Sequence, residues 1–218
     1  MAVGAVARLK ARGISTVLLA RGGIEPHGVE VMHNARSLGL RVKDTTAGGD
    51  TLEHYFEAIA GDGAADILNL KFHCPQEFLR IVYRASDAVL ANSGREPFGL
   101  VGLETMAAGG IAFTGGTGED YAIHFHNAIV LETSDPKEIE IYMMYLDEHP
   151  EEKDRIRRAA KQTARQFIWE EVIENLIQKL EYQARIQGLL AAPQKTAARY
   201  QKPFEFQKAE PGREAVLV

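Results

Sequence analysis

Six short aliphatic runs recur along this chain, at 15–19, 40–43, 66–71, 88–92, 110–114 and 128–131. Helical patterns fill the intervals at 27–37, 51–59, 75–84, 101–108 and 136–148. Runs this short, apolar on both faces, belong to strands covered above and below, and strands alternating with helices pair in parallel. The expected fold is α/β, a doubly wound parallel sheet with helices on both sides. Gly39 and the Gly109-Gly110 pair follow helical residues and precede strands, where a helix C-cap is expected. Pro75 and Pro136 stand at first-turn positions, where the missing N–H does no harm.

Both ends depart from this alternation. Residues 3–12 read as a helix leading into the run at 15–19. A doubly wound sheet opens with a strand that lies in its middle, and nothing before Val3 is long enough to supply it. The expectation is that the first strand is missing and lies upstream, the alternative being a poor strand formed by Ala2 to Ala7. From Glu151 onward only helix remains, at 155–167 and 169–186, the latter with Val172, Ile173, Leu176, Ile177 and Leu180 on one stripe. Beyond Gly188 periodicity is lost, and 191–218 holds three of the eight prolines. One domain at 1–188 and a flexible tail at 189–218 are expected.

Composition narrows the class. The chain has 218 residues, 45% hydrophobic and 25% charged, enough for a core without disulfides. Its one cysteine, Cys74, excludes an internal disulfide framework and any multi-cysteine metal site. A net charge of −5 argues against nucleic acid as a partner held by bulk charge. No run approaches a membrane span, and the opening residues read as no signal peptide. A soluble, cytoplasmic chain is expected.

The chemistry concentrates in 86–109, which reads as strand, glycine-containing loop, then helix. Gly94 and Gly99 flank Arg95, Glu96, Pro97 and Phe98. Glycines let backbone amides approach a ligand, and the free N–H groups opening the next helix make an anion site. That loop falls at the carboxyl ends of the strands, where open α/β sheets bind ligands. A diphosphate suits it. Glu96 in the loop and Glu104 about one turn into the helix can accept hydrogen bonds from ligand hydroxyls, one carboxylate for each of two sugar rings.

Glu96 and Glu104 are separated by seven residues, with Pro97-Phe98-Gly99-Leu100 between them and Met106-Ala107-Ala108-Gly109 after. The string resembles the E-x7-E motif of retaining nucleotide-sugar glycosyltransferases of the GT-B fold, family four. Phe167-Ile168-Trp169-Glu170 resembles the opening of that family's terminal helix, and the resemblance covers roughly 6–182. It implies that this chain is the Rossmann-like C-terminal domain, which binds the donor, and that an acceptor-binding N-terminal domain lies upstream or on a separate chain. It implies Glu96 as the catalytic residue facing the donor sugar. Gly94, Glu96, Phe98, Gly99, Leu100, Glu104, Gly115 and Gly116 become the donor-binding set, with Glu104 on the ribose and the backbone of Phe98, Gly99 and Leu100 along sugar and phosphate. The Gly115-Gly116 loop, followed by Glu119, would border the sugar pocket, and the 71–74 loop would meet the base. The donor is a nucleoside-diphosphate sugar, transferred with retention and with no metal or other cofactor. The family's Arg and Lys after its first C-domain strand have no counterpart here, since Arg8 and Lys10 stand too close to the following strand. The chain alone should therefore bind donor poorly. The alternative function is a non-catalytic nucleotide-sugar-binding module that needs a partner chain.

Other features have plainer readings. His124 and His126 share one face of an extended segment without a third ligand, which favours a structural role. Arg21-Gly22-Gly23 reads equally as a nucleotide contact or a turn, and Glu25-Pro26-His27-Gly28 as a site or a helix entry. Cys74 beside His73 is weak as a nucleophile. Arg155-Ile156-Arg157-Arg158 reads as a solvated helix face, with peripheral membrane contact as the alternative. Glu104, if buried, would need a partner such as a ribose. Trp169 is expected to pack the terminal helix onto the domain.

Overall fold

The central strand of each sheet is its most buried, and the rest of the fold is arranged around that pair. The structure, a computed structural model, describes residues 1–21, 26–60, 63–93, 96 and 98–190. The described elements are α1 (Ala2–Ala11), β1 (Leu18–Arg21), α2 (Pro26–Ser37), β2 (Val42–Thr45), α3 (Leu52–Ala60), β3 (Ile67–Leu70), α4 (Gln76–Ala85), β4 (Val89–Ala91), α5 (Leu100–Ala108), β5 (Ala112–Thr114), β6 (Ile129–Val130), α6 (Pro136–Glu148), α7 (Pro150–Ala164), a 3-10 turn (Arg165–Phe167) and α8 (Trp169–Ile186).

All strand pairs are parallel, and the strands form two three-stranded sheets in the orders β1-β3-β2 and β4-β5-β6. β3 and β5 are buried along their whole length, whereas β1 and β4 are half-exposed. The parallel strands are thus divided between β1 and β4 into two sheets. The first strand also starts later than expected. Its first ladder bond runs from Leu18 N–H to the Asp66 carbonyl at 3.0 Å, and Ser15 and Val17 are exposed lead-in residues.

Helices cover both faces. α1 and α2 pack through Val3, Val6, Met32 and Ala35 onto one face of the first sheet at Ile67. α3 and α4 cover its other face, with Tyr55 and Phe78 against Leu68 and Leu70. On the second sheet Ala5 of α1 joins Ile139 and Leu146 of α6 over Ile111, Phe113 and Ile129. α5 and α7 meet through Met106, Ala160 and Ala164. Helix α1 therefore touches both half-sheets.

Ion pairs fasten α1 at its far end. Arg8 and Arg12 both donate to the Glu140 carboxylate of α6. Lys10 donates to Asp66 at 2.7 Å, and the Arg41 N–H donates to the same oxygen at 2.7 Å. The Arg8 hydrogen bond holds the Glu140 carboxyl below the usual glutamate range against the opposing effect of desolvation, with Arg12 adding to it. For Asp66, burial would raise the carboxyl, but Lys10 and Arg41 outweigh it and hold it low. Caps fall where the sequence places them: Gly39 and Gly109 take left-handed turns, and Asp135 accepts from the Lys137 N–H at 2.8 Å ahead of Pro136.

Helix α8 contradicts one expectation. Trp169 is 76% exposed, and no residue of α8 is buried. Its apolar stripe is unpartnered within the described residues, so Trp169 does not pack the helix onto the domain. No described helix is long and apolar enough to cross a membrane.

Candidate functional site

β4 delivers the chain to the loop that ends at Gly99, the N-cap of α5. Gly99 has φ +80°, and a Cβ there would stand 2.6 Å from the Thr117 carbonyl oxygen. Both the backbone conformation and the close approach demand glycine. No described side chain caps α5; the Gly102 N–H donates to the Gly99 carbonyl at 3.2 Å, which leaves the Leu100 and Val101 amides of the first turn for an anion. The Tyr121 hydroxyl donates to the Gly99 carbonyl from behind. Its oxygen occupies the space a Cβ on Gly102 would take. The Phe98 ring packs at 5.3 Å from Tyr121 and 5.7 Å from Phe167, so its side chain anchors the loop and leaves its backbone for a ligand.

The two carboxylates stand on this platform. Glu96 and Glu104 are both exposed. Glu104 lies on the open face of α5, so the alternative reading of it as a buried structural glutamate does not apply. Burial first, and then the Glu96 charge, pushes the Tyr121 hydroxyl up to about 12, so it is a proton donor at any physiological pH. Burial, followed by the Glu104 charge, also raises Tyr83, while Arg21 at the end of β1 acts in the opposite sense. Glu104 and Arg21 therefore act on Tyr83 in opposite senses.

The loop after β5 lies beside the loop after β4. A Cβ on Gly115 would lie 3.5 Å from Asn92 Cα, while Gly116 is exposed and faces open space. The buried hydroxyls of Thr114 and Thr117 have no hydrogen-bond partner among the described residues. Leu100 is 61% exposed at the mouth of the helix, and Glu119 is exposed. The structure thus brings Glu96, Phe98, Gly99, Leu100, Glu104, Gly115 and Gly116 to one end of the second sheet. Gly94, with Arg95 and Pro97, lies outside the described residues, as do Gly22, Gly23 and Glu25. Sequence reasoning missed Tyr121, Thr117 and Gly102. Of these only Gly102 carried a signal, as a glycine inside a helical run.

The remaining candidates sit elsewhere. Arg8 and Lys10 are committed to Glu140 and Asp66, away from the loops. In the 71–74 loop Phe72 stacks on Tyr55 at 5.3 Å, His73 is exposed, and Cys74 is buried, which raises its thiol. His124 Nδ1 accepts the Val130 N–H at 3.1 Å, and its ring meets Tyr142 at 5.2 Å. Partial desolvation lowers its basicity. Among the described residues no three His, Cys, Asp or Glu side chains gather as a metal site would need. Arg155 donates to Glu152 and to the Phe125 carbonyl, and Ile156 beside it is buried, which breaks the basic run on α7.

The comparisons with known proteins agree with this geometry. The family described as Glycosyl transferases group 1 matches residues 5–163. A curated relative, D-inositol 3-phosphate glycosyltransferase of Thermomonospora curvata, is 26% identical over 118 residues, 53% of this chain and 27% of its own length. The C-terminal domain of the group 1 glycosyl transferase LpcC from Francisella tularensis superposes with a TM-score of 0.53 at 17% identity, covering 76% of this chain and 75% of that one. Anabaena HepE, solved in complex with UDP-glucose, gives 0.57 at 16% identity over 83% of this chain and 44% of its own. The chain therefore spans about a quarter of the curated relative and less than half of HepE. With the uncapped helix after β4, the paired glutamates and a match over most of its length, the chain belongs to the group 1, family four glycosyltransferases of the GT-B fold.

Proposed function

We propose that this chain is the donor-binding half of a retaining glycosyltransferase, moving a sugar from a nucleoside-diphosphate sugar to an acceptor hydroxyl. The observation that carries it is the open N-terminus of α5 behind Gly99, with exposed Glu96 before it and exposed Glu104 one turn in. The diphosphate lies against the first-turn amides of α5. Those amides meet the negative charge that grows on the leaving nucleoside diphosphate, and no metal is assigned to that task. Glu96 accepts from the donor sugar's hydroxyls and acts as the catalytic residue. Glu104 accepts from the ribose. Gly115 and Gly116 border the sugar, and the acceptor is held by a domain upstream or on a separate chain.

The test is calorimetric titration of the full chain with UDP-glucose, chosen because HepE carries that ligand. Weak saturable binding is expected, reduced about tenfold or more in Glu104→Ala because a charged hydrogen bond is lost. Equal affinity in wild type and Glu104→Ala would remove the ribose role. Absence of binding with UDP-, GDP- and ADP-sugars alike would overturn the donor reading for this chain.

A further inference from the structure

Val130 lies on β6, the outer strand of the second sheet. Its neighbour Leu131 donates its N–H to the Thr114 carbonyl of β5 at 2.7 Å. Successive residues of a strand turn their N–H groups to opposite sides, so the Val130 N–H points away from the sheet. His124 meets it there, with Nδ1 accepting at 3.1 Å. A backbone N–H can only donate. Nδ1 must therefore hold a lone pair, and the ring must be neutral with its proton on Nε2.

The turn that brings His124 to Val130 is strained. Phe125 has φ +54°, a left-handed backbone that a bulky residue adopts only where its surroundings impose it. Its N–H donates to the Ala128 carbonyl at 2.9 Å, and its carbonyl accepts from Arg155 of α7 at 2.6 Å. Its ring packs on Tyr142 and Tyr145 of α6, at 5.6 and 5.3 Å. The same turn reaches the glycine platform. Asn127 accepts the Ile123 N–H at 2.7 Å and donates to the Tyr121 carbonyl and to Thr163 Oγ1 of α7, both at 2.8 Å. Tyr121 in turn donates to the Gly99 carbonyl.

The groups around the ring decide when it takes a proton. Partial desolvation lowers its basicity and outweighs Glu132 and Glu138, whose charges favour the imidazolium. Glu138 of α6 is engaged by the Glu132 and Thr133 N–H groups and the Thr133 hydroxyl. The Tyr142 hydroxyl is raised by burial and stays neutral, Arg155 is paired with Glu152, and His126 on the same turn is exposed. The folded chain thus binds this proton less readily than an opened turn. The His124 contribution is complete above the usual histidine value of 6.5 and is lost as pH falls through the lowered one.

We propose that His124 is a proton-operated latch: neutral, it holds Val130 and the turn behind Tyr121 closed under Gly99, and protonated at Nδ1 it releases both. Any effect on donor affinity rests on the donor reading above, whereas the latch itself needs no nucleotide.

The test is hydrogen exchange of the Val130, Ile123 and Gly102 amides in the nucleotide-free full chain between pH 7.5 and pH 5, in wild type and His124→Phe. The imidazole nitrogen shifts of wild type are followed alongside. Wild type should show the Nε2–H form at pH 7.5. As His124 takes its proton, protection at all three amides should fall by up to about tenfold per pH unit, since opening takes up one proton. His124→Phe keeps an aromatic ring but neither accepts nor titrates, so its Val130 should be poorly protected at pH 7.5 with no further step. An equal fall in both proteins would overturn the proposal, as would a Gly102 amide that stays unmoved while Val130 opens. If His124→Phe does not fold, wild type decides alone: a loss of protection that does not track the His124 shift overturns the latch. Titration with UDP-glucose at pH 7.5 is a separate arm, in which absence of binding counts against the donor reading and leaves the latch standing.

Discussion

A Cβ on Gly99 would stand 2.6 Å from the carbonyl oxygen of Thr117, in a residue already held at φ +80°. The turn that opens α5 is thus fixed by the loop after β5. Gly99→Ala should cost about 1–2 kcal/mol for the left-handed backbone alone, and more for the displaced Thr117 carbonyl. Thermal melts should show a lowered Tm, with UDP-glucose affinity falling alongside. An unchanged melt would mean that the two loops are not coupled.

The space beside Gly102 belongs to the Tyr121 hydroxyl. Gly102→Ala should destabilise by overpacking, by about 1–3 kcal/mol. Tyr121→Phe should lose about 1 kcal/mol for the hydrogen bond to Gly99. The double variant should be more stable than the sum of the two, because removing the oxygen makes room for the methyl. Urea melts of the four proteins measure the cycle, and strict additivity would separate the two residues.

Tyr121 also sets an alkaline limit. Its hydroxyl ionises near 12 in the folded chain against a usual value near 10. The folded state keeps a proton that the unfolded state gives up in that interval. Stability from this group is complete below pH 10 and lost as pH rises toward 12. The gap between wild type and Tyr121→Phe in urea melts should narrow from pH 9 to pH 11.

Glu140 behaves in the opposite sense. Its carboxyl, hydrogen-bonded by Arg8 and Arg12, lies below the usual glutamate value. Its contribution is present above that usual value and disappears as pH falls through the lowered one. Glu140→Gln should loosen α1 at pH 7, seen as faster amide exchange in α1, and should match wild type once the carboxylate is protonated. A constant difference down to strongly acidic pH would assign the effect to packing.

Much of this was legible in residue order, and the failures have physical causes. β3 and β5 declared themselves because strands covered on both faces are mostly apolar, here with Asn69 and Thr114 as the polar members. Gly109 marked the end of α5 because a left-handed cap selects glycine. The early placement of the first strand failed because Val17 is apolar yet half-exposed in a lead-in, where local pattern cannot tell strand from approach. Trp169 was misjudged because a tryptophan at a helix start implies a partner, and none of the described elements is that partner. The charge pattern of Glu96 and Glu104 was readable, but the exposure of Glu104 depends on what packs over α5. Tyr121 meets Gly99 across 22 positions of sequence, a contact that no local spacing announces.

Among the described elements α1 is made before the others, yet the surface it needs is made much later. Val3 and Val6 can settle on α2 once residue 37 has emerged. Arg8, Arg12 and Ala5 must wait for α6, which ends at Glu148. During synthesis α1 is therefore held from one side only until α6 has been made. Assembly of this domain is completed at the earliest made of its described helices.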